Sequence, residues 1–168
     1  MFVVSGNLDD PENGLENYQM FLMTIVRIWS YFLQYVGADS MNSIKLFIDN
    51  AISGSGYTPI TTPIFGEYLT IKLHIESKDG EERIAYQFAH ELMHFVYYTK
   101  YGMDKNRADE VEESICTASS LIVLRDLYPI HWGRYNSHVM NLENNAYRMG
   151  ADVALDVGYS FEELLKRV

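Results

Sequence analysis

Residues 79–102 read DGEERIAYQFAHELMHFVYYTKYG, and their periodicity decides the architecture. Ala85, Phe88, Ala89, Leu92, Phe95, Val96 and Thr99 recur at helical spacing on one mainly apolar face, with Gln87, His90, Glu91, His94 and Tyr98 on the other. Asp79 and Glu82 stand at the spacing of a reciprocal capping box, and Gly102 follows where a left-handed residue ends a helix. The stretch predicts one long amphipathic helix over residues 80–101.

Working outward, residues 68–76 alternate Ile71, Leu73 and Ile75 with Thr70, Lys72, His74 and Glu76, the period of a half-buried antiparallel or edge strand. Residues 53–66, SGSGYTPITTPIFG, read as a loop, and residues 43–49, SIKLFID, as a further strand. Residues 15–36 predict a mostly buried helix, with Thr24, Arg27, Tyr31 and Gln34 as its narrow polar stripe. Downstream, a central helix runs from about residue 106 until Pro129 stops it. Residues 136–154 read as helical, and a last short helix is capped by Ser160 and Glu163. The expectation is an α+β fold, a small antiparallel or mixed sheet packed on the long helix and further helices.

At 168 residues and 48% hydrophobic, the chain fits a single domain over residues 1–168 and excludes intrinsic disorder. A net charge of −10 opposes a phosphate backbone, so no nucleic-acid partner is expected. The same surface favours cationic or neutral substrates, weakly at cellular salt. Cys116 is the lone cysteine and forms no internal disulfide; a small buried thiol is its expected role. Phe2-Val3-Val4 lacks the basic flank of an export signal, which points to a cytoplasmic setting. Residues 18–36 are long enough to cross a bilayer, but their polar stripe reads as a buried helix, and its one Arg argues against membrane binding.

The long helix carries the chemistry. His90-Glu91-Leu92-Met93-His94 is HExxH, in which residues i and i+4 stack on one face so that two imidazoles grip one Zn²⁺. Glu91 beside them is placed to take a proton from water acidified by the metal. A catalytic zinc wants a third protein ligand. The extended pattern with His six positions on is excluded by Tyr97 and Lys100, leaving Glu110, Glu112 and Glu113 on the next helix. Eighteen residues separate His94 from Glu113. The acidic run 109–113 also reads as favourable charge at a helix N-terminus.

HELMH followed by EESICT resembles the gluzincin group of zincin-type zinc metallopeptidases, which bind zinc by HExxH on one helix and a Glu on the next. The resemblance spans residues 68–127, because gluzincins place a substrate-lining edge strand before the metal-binding helix. It implies one Zn²⁺ on His90, His94 and Glu113, with Glu112 the rival third ligand, and Glu91 as general base and later proton donor to the leaving amine. It implies a hydrolase cleaving peptide or protein substrates.

The chain departs from that pattern where Thr117 stands four positions after Glu113, so no acidic partner there orients the ligating His. Only 74 residues follow His94, so the cleft is expected to be shallow, or completed by a partner or a second copy. A donor to the developing oxyanion is needed, and His138 and Tyr147 are chosen for it from a field that includes Tyr98, Tyr101, His131 and Tyr135. His74 reads as an ordinary strand histidine. The reading is a zinc-dependent peptidase; the alternative is a catalytically silent zinc-binding regulatory or interaction module on the same frame.

Overall fold

The computed structural model describes residues 2–5, 16–51, 58–105 and 107–168. Strand β1 (Phe2–Val4) precedes helices α1 (Tyr18–Val36) and α2 (Ala38–Met41), then strands β2 (Lys45–Asn50), β3 (Ile60–Ile64) and β4 (Tyr68–Leu73). Helices α3 (Glu81–Tyr101), α4 (Glu110–Leu127), α5 (Pro129–Met140), α6 (Asn145–Asp156) and α7 (Phe161–Leu165) complete the α+β fold.

The sheet is mixed, in the order β1-β2-β4-β3. Strands β1, β2 and β4 run parallel, and β3 pairs antiparallel with β4. The parallel β1–β2 pair needs a crossover, which α1 and α2 provide. Leu46 and Ile48 on β2 and Leu69, Ile71 and Leu73 on β4 are buried, so one sheet face builds the core with α1, α3 and α4. Of the strand expected over residues 68–76, the alternation is present in β4, which ends at Leu73, but β4 is an interior strand with a neighbour on each side. The edge strand next to β4 is β3, inside the stretch expected to be a loop; residues 53–57 of that stretch lie outside the described residues. Ile60, Thr61, Thr62 and Ile64 are β-branched and suit a strand, and Pro63 is tolerated because β3 has one neighbour among the described strands. Phe65 (φ 52°) and Gly66 (φ 68°) turn the chain from β3 into β4.

Beyond β4, side-chain amides carry on the hydrogen bonding of the strand. Gln87 on α3 accepts from the His74 N–H and donates to the His74 carbonyl, both at 2.9 Å. Asn50 does the same for Ile75, at 2.8 Å each way. Gln87 thereby ties α3 to the sheet one turn before Glu91. Asp79 does not cap α3; its carboxylate accepts from the Glu76 N–H, Gly80 is the N-cap, and Glu82 turns to Arg134 instead. Gly102, at φ 87°, ends the helix as expected. Helix α3 is buried on its polar side too, with His90, Glu91 and His94 each under a tenth exposed.

Helix α1 buries one face rather than most of its surface: Met23 and Val26 are exposed, whereas Thr24 and Tyr31 of the expected polar stripe are buried. The Tyr31 hydroxyl donates to Asp126 at 2.6 Å, which explains how a polar group sits inside. Leu15, the expected start, lies outside the described residues. No described helix is long and apolar enough to cross a membrane. Helix α4 is buried from Ser114 to Leu124, the central helix its composition predicts. The expected helix over 136–154 is two, because the chain breaks at 141–144 and Asn144 caps α6 by accepting from the Ala146 N–H.

Candidate metal centre

Helices α3 and α4 cross with their backbones tied together: Ser119 Oγ donates to the Ala89 carbonyl at 3.1 Å and Ser120 Oγ to the Tyr86 carbonyl at 2.8 Å. This crossing sets the first turn of α4 beside the HExxH turn of α3. His90, His94 and Glu113 meet there, with one ligand atom from each lying within 4.8 Å of the others, close enough to hold a metal ion. His90 Nε2 is 3.2 Å from Glu113 Oε2, and His94 Nε2 is 3.7 Å from Glu113 Oε1. Tetrahedral ligands about 2.0–2.1 Å from a zinc ion stand about 3.3 Å apart, so these spacings fit.

The neighbouring carboxylate has a different place. Glu112 Oε1 is 2.7 Å from His94 Nδ1, the ring nitrogen away from the cluster, and both Glu112 oxygens accept from Lys105 Nζ, at 2.8 and 2.9 Å. Glu112 fixes the His94 ring and leaves Nε2 for the metal, the role for which no acidic residue four positions after Glu113 was available. Thr117 occupies that position because α6 packs there, with Gly150 against it.

Electrostatics follow from this crowding. Burial by itself lowers the His94 imidazole, but Cys116, Glu112 and Glu113 outweigh it and raise it well above its ordinary value. Burial opposes the Glu113 charge, yet hydrogen bonds from His90 and His94 hold that carboxyl well below the usual carboxylate range. Cys116 lies 3.4 Å from His94 Nδ1, and burial pushes its thiol up to about 12.

A cleft of about 590 Å³ opens on the cluster, walled by β3 on one side and by His90, Glu91, His94, Glu113 and Tyr147 on the other. Thr61 Oγ1 on β3 lies 2.8 Å from Glu91 Oε2 and 2.9 Å from the Glu91 carbonyl. Tyr147 comes from α6, its ring 5.8 Å from that of His90, and burial pushes its phenol up, so it stays a hydrogen-bond donor. His138 lines an adjoining cavity and not this cleft. Tyr98 is at the cleft wall; Tyr101 instead donates to the Val168 carbonyl, and His131 lies 3.9 Å from Glu82. His74 is half-buried beside Gln87 and outside the cleft. Sequence reasoning missed Thr61 and Lys105. The Ile-Thr-Thr run was the available signal for the first; nothing local marks the second.

Comparison with protein-family models, with curated proteins and with solved structures finds no match to this chain.

Proposed function

We propose that this chain is a zinc-dependent peptidase of the gluzincin type, hydrolysing peptide bonds. The observation that carries the reading is the His90–His94–Glu113 cluster at the floor of a cleft that also holds the Glu91 carboxylate and an edge strand. Two imidazoles and a carboxylate suit Zn²⁺, and the buried donors Nε2 of His90 and His94 have no other acidic partner than Glu113 among the described residues. Bound there, the ion supplies Lewis acidity, acidifying water and polarising a carbonyl.

The chain's own groups do the rest. With Thr61 donating to Oε2, the other oxygen of Glu91 is left to accept the proton of the attacking water and to pass it to the leaving amine. The Tyr147 phenol supports the oxygen that gains charge as the carbonyl becomes tetrahedral. Strand β3, with one side unpaired among the described residues, offers backbone groups to an extended substrate, which would add to the sheet as a further strand.

The test is metal analysis of the wild type and Glu91→Gln, followed by peptide-library cleavage with both. One zinc per chain in each, with cleavage by the wild type alone, is expected. Zinc in both with cleavage by neither refutes the peptidase reading and leaves a metal-binding module.

A further inference from the structure

A second cavity, of about 370 Å³, shares Pro59, His90, Glu91 and Tyr147 with the metal cleft and so continues it. Its volume is within the range of about 300–1,000 Å³ usual for ligand sites. The inner wall is aromatic and aliphatic: Tyr86 and Tyr135, their rings 4.9 Å apart, with Leu142. Glu91 is its one acidic lining residue among those described. Arg83, exposed on the first turns of α3, forms the rim towards a third hollow that it shares with Lys78 and Arg134. Those two neighbours are engaged, Lys78 by Glu76 at 2.7 Å and Arg134 by Glu82 at 3.1 Å. Among the described residues Arg83 forms no ion pair, although Asp79 and Glu82 line the same hollow and its charge reaches the Glu76 carboxylate.

An apolar pocket beside the proton-accepting group, rimmed by a guanidinium that is in no direct ion pair among the described residues, in a protein of net charge −10, has a defined complement. We propose that this cavity is the substrate side-chain subsite next to the reacting bond, that it takes a bulky apolar or aromatic residue, and that Arg83 holds a carboxylate on an adjoining substrate residue. The inference rests on the peptidase reading and names its substrate class. It differs from the weak preference for cationic or neutral substrates expected from net charge. Charge spread over a surface is screened within about 8 Å at physiological salt, whereas Arg83 acts in contact through a planar fork that matches a carboxylate.

The experiment measures binding without turnover. The full chain carrying Glu91→Gln, with and without added Zn²⁺, is titrated by fluorescence anisotropy into four labelled peptides. All share a Gly/Ser/Ala background, and their central triplets are Asp-Phe-Asp, Asn-Phe-Asn, Asp-Ala-Asp and Asn-Ala-Asn. Phe over Ala is expected to tighten binding about tenfold or more, from burial of one aromatic side chain. Asp over Asn is expected to give roughly three- to tenfold at low salt, shrinking at high salt. Arg83→Ala, at an exposed position, should remove the Asp preference and keep the Phe preference, with an unchanged circular dichroism spectrum. Absence of binding, indifference to Phe, or an Asp preference that survives Arg83→Ala overturns the subsite. Wild-type cleavage of the same peptides separates the two claims. No cleavage with the binding order intact refutes the peptidase reading alone, whereas cleavage with no preference among the four overturns the subsite alone.

Discussion

Replacing Gly150 by Ala should destabilise the protein even though alanine is the better helix former. Gly150 lies inside α6, where the change by itself would gain about 0.8–1.0 kcal/mol. A β-carbon there would stand 2.5 Å from Thr117 Cβ, 2.7 Å from Thr117 Cγ2 and 2.9 Å from the Ser114 carbonyl oxygen. Neither a β-carbon nor a helical carbonyl can rotate away, so α6 must retreat from α4 by roughly 1 Å to restore ordinary contact near 3.5–4.0 Å. Overpacking of this kind costs about 1–3 kcal/mol, and the fixed obstacles put it at the upper end. The net loss is about 2 kcal/mol, which for a chain this long lowers Tm by roughly 4–8 °C. Gly133→Ala is the control. It is the same substitution inside α5, with nothing within 4 Å of the new β-carbon, and should raise stability by about 0.5–1 kcal/mol. Thermal unfolding followed by circular dichroism, on metal-free protein, reads both. Equal shifts for the two variants, or a Gly150→Ala protein as stable as wild type, would refute the packing argument. Because Tyr147 is one turn earlier on α6, the same retreat should also depress peptide cleavage at temperatures where the variant is fully folded.

Glu112→Gln should weaken zinc binding about 10–100-fold, measured by competition with a chromophoric chelator, since it removes the anionic support of His94; Glu113→Gln should lose more, and the reverse order would exchange their roles. Thr61→Val should keep zinc and lower turnover about five- to tenfold, the worth of one hydrogen bond to Glu91, while Thr61→Ser restores it; an inactive Ser variant would contradict a role for the hydroxyl. Zinc affinity should rise with pH by about tenfold per unit for each proton displaced, because the raised His94 imidazole of the metal-free site must lose its proton. For the metal-free fold the His94 contribution has the opposite sign. The raised His94 contributes stability fully below about pH 6.5 that fades as pH rises through its folded value, while the depressed Glu113 contributes above about pH 4.3 and fades as pH falls. Calorimetry in buffers of differing ionisation heat detects the released proton, and an affinity equal at about pH 6 and about pH 8 would contradict the linkage.

The HExxH helix was legible because everything it needs is local: a period of 3.6 residues puts His90 and His94 on one face whatever surrounds them. The core strand β4 was legible for the same reason, its alternation being a property of six consecutive residues. Strand β3 was not, since Pro63 and the neighbouring turn formers outweigh four β-branched residues until a partner strand is present to pair with them. The capping of α3 was misread because Asp79 had two backbone N–H groups within reach, and only the path of the chain into α3 decides which it takes.

By itself, then, the sequence determined that two imidazoles and a carboxylate share one helix turn and that an acidic run opens the helix after it. Only the tertiary structure decided what each acid of that run does. Adjacent helical residues point about 100° apart, so when α4 crosses α3 the carboxylates of Glu112 and Glu113 arrive on opposite nitrogens of the same His94 ring. One faces the metal cluster and the other, held by Lys105, stands behind it. That crossing is tied by Ser119 and Ser120, whose hydroxyls donate to the Ala89 and Tyr86 carbonyls; they lie far from the motif along the chain and meet its helix only in the fold.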